Sequence, residues 1–473
     1  GKKPLYLRWS DDRSEISFAS LVATLVASDE GERKINRQAL LDYLRLGYTH
    51  SESLIEGIEE LVPAHWMLID PSGRVQIERY WQQPPVTSHP PVTDALEATG
   101  HVIDEAVRAR LESDVPLGCF LSGGIDSSII ATLAQRARSR NGDRLKTFSV
   151  AMPELDYDES HYAMVVARHI GSDHQSLTAQ PNADIIGDLE HLIALSGEPT
   201  ADSSILPTYW LSRATRQFVK VALSGDGGDE LFAGYDRYRA LRMLTVHRWW
   251  LNKLPAGLLN HHNPRTVRAR LSRLVTAAGE QHPSGQYRRM IELFNEPQIR
   301  ELGAYEADTP PPLHDWPDQT RVPKAAMRWD LAHYLPNDLL RKMDRASMAV
   351  ALEVRCPLLD TRVCDLASQL PESVLMPNGR PKGLLRQLAL RLRLPKRIVN
   401  RPKRGFAVPI GRWFYDQLRD PLRDRLFDGS LESLGLNHRF IQRLFDEHDR
   451  RQADHTHRLF GLMTLSIWVR LAT

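Results

Sequence analysis

The sequence predicts an α/β protein: a parallel-sheet domain with a helical C-terminal part, preceded by a smaller, partial α+β unit. Three observations carry this. From about residue 96 to Ser224, apolar runs of strand length alternate with segments of helical periodicity, the pattern of βαβ units. Beyond Tyr235 the text is mostly helical and Arg-rich, without clear strands. Before residue 85, short alternating runs are joined by tight turns, and the proline-rich stretch QQPPVTSHPPVTD (Gln82 to Asp94) then separates the two parts.

The elements follow in order. PLYLRW and SEISFAS alternate around the turn-rich DDR, which predicts a hairpin. INRQALLDYLRLGY has helical spacing with Asn36 or a neighbour as its cap. HWMLID and VQIERYW flank PSGR, a second hairpin. These make a unit over residues 1–85, then a linker over 86–95, then a domain over 96–473. That domain opens with the helix ALEATGHVIDEAVRARL and the strand PLGCFLS, followed by the helix SSIIATLAQRARS. The strand LKTFSVAM, the helix SHYAMVVARHIG and a short strand near HQSLTA come next. Helices at IIGDLEHLIALSG and LPTYWLSRAT precede the strand FVKVALS.

Composition excludes several classes. With 61 basic against 59 acidic residues, the net charge of +2 supports neither a nucleic-acid groove nor a membrane-surface role. Short basic clusters such as RPKR (Arg401 to Arg404) read as solvated loops. The three cysteines, Cys119, Cys356 and Cys364, have no paired spacing, which argues against disulfides or a zinc site. His448, His455 and His457 lack zinc spacing and read as a solvated helix face. Trp249 and Trp250 read as packing within the helical part. No apolar run is long enough for a membrane span and no signal peptide is visible, so the cytoplasm is the expected compartment. The opening GKKPLYLRW lacks an initiator Met and reads as mid-domain text, which predicts that the chain is part of a longer product.

The chemistry concentrates in four stretches. SGGIDSS (Ser122 to Ser128) sits where a buried strand gives way to a helix. Glycines let the backbone approach an anion, helix-start N–H groups point at it, and serine hydroxyls add donors. Asp126 conflicts with a phosphate unless a divalent cation lies between them. The spacing is neither a Walker P-loop nor G-x-G-x-x-G. SGDGGDE (Ser224 to Glu230) follows a second strand, so the two loops are expected to meet around one ligand. Its acids Asp226, Asp229 and Glu230 crowd together, which is costly without metal, cations or a proton-transfer role. LLRKMDRASMAVALEVRCPLLD (Leu339 to Asp360) is apolar enough to be buried yet carries Arg341, Lys342, Asp344, Arg345, Glu353 and Arg355, which need partners. Finally, Lys382, Lys403 and Arg404 sit among Gly and Pro in RPKGLLRQLA and RPKRGFAVPIGRW, and a lysine suits a phosphate.

SGGIDSS resembles the pyrophosphate-binding loop of the ATP pyrophosphatase (PP-loop) group. Together with EPTADSSILPTYWLSR, VKVALSGDGGDELFAGYDRY, LRKMDRASMAVALEVRCPLLD and RPKRGFAVPIGRW, it is similar to the synthetase domain of glutamine-hydrolysing asparagine synthetases, over residues 90 to 473. The resemblance implies an adenine-nucleotide α-hydrolase-like fold behind the C-terminal part of an Ntn-type glutaminase domain. It implies that the aspartate β-carboxylate attacks the α-phosphate of Mg-ATP, giving β-aspartyl-AMP and pyrophosphate, and that ammonia then displaces AMP. By this resemblance Ser122, Gly123, Gly124, Asp126, Ser127 and Ser128 hold the pyrophosphate, and Asp126 and Asp344 hold Mg²⁺. Lys403 and Lys382 contact the phosphates. Phe120, Leu121, Val150, Ser224 and Gly225 fall where the family grips adenine and ribose. Asp226 stands where many members carry Glu and suits a general base for the ammonia step. Asp202, Ser203 and Arg355 are the candidates for the acid pocket. A different acceptor, such as a sugar carboxylate, is the alternative, and a degenerate nucleotide-binding module a remote one. The implied partners are aspartate, ATP and ammonia or glutamine, with no nucleic acid and no membrane, and a homodimer is allowed.

Two departures stand out. LFAGY carries Ala233 where Gly is usual, a mild change. No cysteine stands near the N-terminus, where the family's glutaminase nucleophile belongs, so this chain is not expected to hydrolyse glutamine. A half-domain at residues 1–85 would also leave strand edges exposed and prone to aggregation.

Overall fold

The protein is described by a computed structural model. It describes all residues except 29–30, 32, 88, 141, 153, 155, 179–183, 255–266, 305–312, 314–315, 318–321, 403–404, 406–407 and 473. In the N-terminal unit, β1 (Tyr6–Trp9) pairs antiparallel with β2 (Ile16–Ala19) and with β3 (Ile58–Glu60). The helix Arg37–Leu46 starts as its sequence predicts: the Asn36 side chain accepts from the backbone N–H of Gln38 and Ala39. The second hairpin forms from β4 (His65–Ile69) and β5 (Val75–Arg79).

The larger sheet is parallel and has five strands: β6 (Leu117–Phe120), β7 (Lys146–Ala151), β8 (Asp173–Thr178), β9 (Val221–Leu223) and β10 (Glu353–Arg355). Their order is β10-β9-β6-β7-β8. The chain thus builds outward from β6 through β7 to β8, then returns to place β9 on the other side of β6. The order reverses between β6 and β9, and a ligand crevice opens at such a reversal, off the carboxyl ends of the strands. β10 corrects the expectation of no strand beyond Tyr235: Glu353-Val354-Arg355 pairs in register with Val221-Ala222-Leu223 at the sheet edge.

The N-terminal unit shares a core with the rest of the chain. Tyr6, Leu40, Tyr43, Leu44 and Ile58 pack in one apolar cluster with Leu192, Leu206, Phe460 and Trp468. The Tyr43 hydroxyl donates to the Gly461 carbonyl at 2.9 Å. Polar ties reinforce this. Arg341 donates to Thr49 Oγ1 at 3.0 Å and to the His50 carbonyl at 3.3 Å, and it ion-pairs with Glu60. Arg345, which pairs with Glu198, donates to the Tyr6 hydroxyl at 3.4 Å, and Lys3 pairs with Asp344. Phe18, Leu68, Ile77 and Tyr80 on the outer faces of this unit are exposed.

Residues just before the expected linker are tied to the large domain. Gln83 donates to the Arg328 carbonyl at 2.8 Å, Arg328 donates to the Pro84 carbonyl at 2.6 Å, and the helix Val92–Leu111 follows. Two other expectations change. His448 and His455 are buried: His448 stacks on Tyr415 with centroids 4.6 Å apart, and His455 bonds Glu447 at 2.7 Å. Trp249 and Trp250 are exposed, not packed. Among the described residues, no helix is long and apolar enough to cross a membrane.

Candidate active site

The loop after β6 turns sharply into the helix Ile125–Ser139. Gly123 makes the turn at φ 70°, and a Cβ there would lie 2.5 Å from Tyr162 Cβ and 2.7 Å from its carbonyl carbon. No other residue fits that backbone or that space. Gly124 begins the helix without a side-chain cap, so the first N–H groups are not covered by a capping side chain. The Ser122 and Ser127 hydroxyls lie 3.1 Å apart across the loop. Arg401 braces this turn from outside. Its guanidinium lies 3.8 Å over the Tyr162 ring, pairs with Glu159 and donates to the Ser122 carbonyl at 3.4 Å. The RPKR stretch therefore begins in a built contact, not a solvated loop.

The loop after β9 lies directly against it. A Cβ on Gly228 would come within 2.5 Å of Asp126 Oδ1, so glycine is what lets the second loop close on the Asp126 carboxylate. Lys382 then ties the loops together: its ammonium pairs with Asp126 and lies 2.7 Å from Asp229 Oδ1. Burial alone would lower the lysine pKa, but the two carboxylates outweigh it and hold the ammonium charged well above its usual range. Lys382 sits in the left-handed region at φ 53° and starts the helix Gly383–Arg391. Such strain in a non-glycine residue costs about 1 kcal/mol or more and persists where the surroundings fix it.

Asp226 lies next to this pair. It accepts from Ser224 Oγ at 2.7 Å, and burial raises its pKa above the ordinary carboxylate value despite that bond and the pull of Lys342. A second ion pair stands beside it. Lys342 donates to Asp202 Oδ2 at 2.6 Å and to Ser204 Oγ at 2.7 Å. Burial works against the Asp202 charge, but Lys342 outweighs it and keeps the carboxyl ionised. Asp338, on the π-helical stretch Asp330–Leu340 that leads into the helix Arg341–Met348, is pushed up to about 7 by burial and by Asp202.

Most of the residues expected at a nucleotide site come together here. Phe120, Leu121 and Val150 are buried at the ends of β6 and β7, and the Leu121 N–H donates to the Phe148 carbonyl at 2.7 Å. Ser122 to Ser128, Ser224, Gly225 and Asp226 form the two facing loops; Lys382 bridges Asp126 and Asp229 of those loops. Asp202 joins through Lys342, and buried Ser203 lies between Asp202 and Ser204. Arg355 does not join: its guanidinium donates to the Arg110 carbonyl at 3.1 Å and the Glu112 carbonyl at 2.6 Å, at the end of the helix Val92–Leu111. Asp344 is held by Lys3, while the acid that shares a cation with Asp126 is Asp229. Lys403 lies outside the described residues. Sequence reasoning missed Asp229 as the partner of Asp126, Lys342 and Ser204 as a unit, and Arg401 as a brace. The crowding of three acids in SGDGGDE was the available signal for the first.

All three thiols are buried, and burial pushes each up to about 12. They stay protonated at neutral pH and cannot serve as ready nucleophiles. A thiol-reactive disulfide reagent should therefore label none of them in the native chain within minutes, and all three in denaturant. Rapid native labelling of even one would contradict this burial.

Comparison with known proteins agrees with this geometry. The asparagine synthase family matches residues 98–470, and the glutamine amidotransferase domain family matches residues 1–81. The glutamine-hydrolysing asparagine synthetase 1 of Bacillus subtilis is 27% identical over 483 residues, covering 99% of this chain and 73% of that protein. The glutamine-hydrolysing asparagine synthetase 3 of the same organism is 27% identical over 424 residues, covering 85% and 63%. The amidase chyE of Penicillium rubens is 25% identical over 439 residues, covering 81% and 63%. With two strand-end loops meeting at the reversal of a parallel sheet, and the match spanning most of its length, the chain belongs to the asparagine synthase family, whose chemistry is ATP-dependent amidation.

Proposed function

We propose that this chain forms asparagine from aspartate, ATP and ammonia. The observation that carries this reading is the bridge from Asp126 through Lys382 to Asp229, with Asp226 beside it. An oxygen of the aspartate β-carboxylate attacks the α-phosphorus. The bond from the α-phosphorus to its bridging oxygen breaks, and that oxygen leaves with the electron pair on pyrophosphate. The N–H groups that open the helix Ile125–Ser139, with the Ser122 and Ser127 hydroxyls, receive the anion. Ammonia then attacks the acyl carbon, Asp226 takes its proton, and AMP leaves.

The residues present suit a magnesium ion. Two carboxylates already share one cation, and Mg²⁺ takes one or two carboxylates plus phosphate oxygens and water. Among the described residues no group of three or more potential metal ligands gathers. Asp126 and Asp229 would hold the ion, and it would neutralise phosphate charge.

The test is to incubate the chain with Mg-ATP, aspartate and ammonium. AMP, pyrophosphate and asparagine are the expected products; ADP, or no turnover with any acid, would sink the reading. Replacing ammonium by glutamine should give no asparagine, because residues 1–81 carry no cysteine. A second reading keeps the chemistry and changes the acid, and the match to an enzyme named amidase supports it. The same assay run over a panel of carboxylates decides between them.

Asp226→Asn should slow amide formation by about 100-fold, the usual worth of a positioned base, while leaving adenylate formation nearly intact. In the parent chain, amide formation at constant free ammonia should fall as pH drops and Asp226 takes its proton. The midpoint should lie above the ordinary carboxylate range, because burial raises this group. The Asn variant should lose that pH limb. Equal slowing of both half-reactions would count against the role.

A further inference from the structure

We propose that Lys342 is the cation that seats a second, unreacting carboxylate of the acceptor, so that the site selects short dicarboxylates. This rests on the amide-synthetase reading above and assigns a residue that the reaction steps leave unused.

The helix Arg341–Met348 carries three basic residues with contrasting surroundings. Arg341 and Arg345 face Glu60 and Glu198 in sealed pairs, with side-chain exposures of 4% and 6% for the first and 7% and 2% for the second. Their neighbours Thr49, His50 and Tyr6 belong to the N-terminal unit, so these pairs lock the two parts together. Lys342 differs. Its pair with Asp202 is the open one, with side chains 11% and 24% exposed. Its ammonium also acts electrostatically on Asp226 of the loop after β9.

The pair is also built to hold a ligand still. Asp202 Oδ1 accepts from the Ser204 N–H at 2.9 Å, so the carboxylate is fixed by its own turn. Its other oxygen and Ser204 Oγ fix the lysine. The described contacts use two of the three N–H donors of Lys342, and a carboxylate can take the third. Partly desolvated, this ammonium donates more strongly to a carboxylate than to a neutral amide oxygen, because a hydrogen bond between two charged groups is the stronger one. Asp202 and Ser204 act through Lys342 and are positioning residues.

The experiment is ATP–pyrophosphate exchange with the full chain. Two substrate pairs are compared: aspartate with its α-amide, and succinate with succinamate. In the parent chain, the diacid of each pair should be favoured by about 10- to 100-fold in kcat/KM, the loss expected for one hydrogen bond to a charged group. Lys342→Met should raise the KM for aspartate by a similar factor, leave the KM for ATP within about two-fold, and shrink the preference toward unity. Lys342→Arg should recover part of it. A preference unchanged in Lys342→Met overturns the proposal. If that variant does not fold, the parent decides alone, since equal use of diacid and monoamide overturns it. No exchange with any acid defeats the amide-synthetase reading itself, and the proposal with it.

Discussion

Asp126→Asn should reduce pyrophosphate formation by about 1,000-fold or more. Losing one preorganised charge contact in a site of this kind costs about 10²–10³ in rate, and losing the cation-binding carboxylate adds to that. Asparagine keeps the shape of the side chain, so the loop should still close against Gly228. Lys382 keeps Asp229, 2.7 Å away, as a partner, so the fold should survive. The measurement is release of AMP and pyrophosphate from Mg-ATP and aspartate, with a thermal melt as control. A folded variant that makes AMP at the parent rate would falsify the role. The geometry also ranks two further variants. Asp229→Asn should approach the loss at Asp126, because the two acids share one cation. Asp344→Asn should lose less, since its carboxylate is held by Lys3. The reverse ranking would restore the pairing of Asp126 with Asp344 that the sequence resemblance implies.

That contrast shows where sequence reading stops. The loops after β6 and β9 were legible, because each sets glycines and acids against an apolar run, and a parallel sheet must bring ligands to such ends. Which acid faces Asp126 is not legible: Asp229 stands between Gly228 and Glu230, Asp344 between Met343 and Arg345, and only the fold sets Asp229 on Lys382 and Asp344 on Lys3. β10 gave no local signal, since three residues with charged ends have no readable period; its pairing is imposed by β9. His448 and His455 sit in polar text that reads as solvated, and their burial comes from a remote ring, Tyr415, and from Glu447. Ala233, a mild departure by sequence, occupies φ 55°, where a methyl group costs about 1 kcal/mol relative to glycine. By sequence the N-terminal unit is a half-domain with open edges. Its outer faces are exposed, but its inner face is buried in the common core.

Arg341→Ala tests whether that common core behaves as one body. The guanidinium is 4% exposed, pairs with Glu60 and lies 3.8 Å from Glu198, and it also donates to Thr49, His50 and Asn337. Removing it strands the buried Glu60 carboxylate, while Glu198 keeps Arg345, and breaking such a buried pair typically costs about 3–5 kcal/mol. The loss should show as a lower denaturant midpoint at pH 7, with the slope of the transition unchanged if unfolding stays cooperative. Glu60→Ala alone should also destabilise, and the double variant should cost less than the sum, because the first change already removes the partner of the second. A parent chain that unfolds in two separated steps, with Arg341→Ala shifting neither, would mean that the contacts between residues 1–81 and the synthetase part carry little energy. A single step shifted by the whole amount would mean that the N-terminal unit is held in place by the helix Arg341–Met348: Arg341 faces Glu60, and its neighbour Lys342 pairs with Asp202.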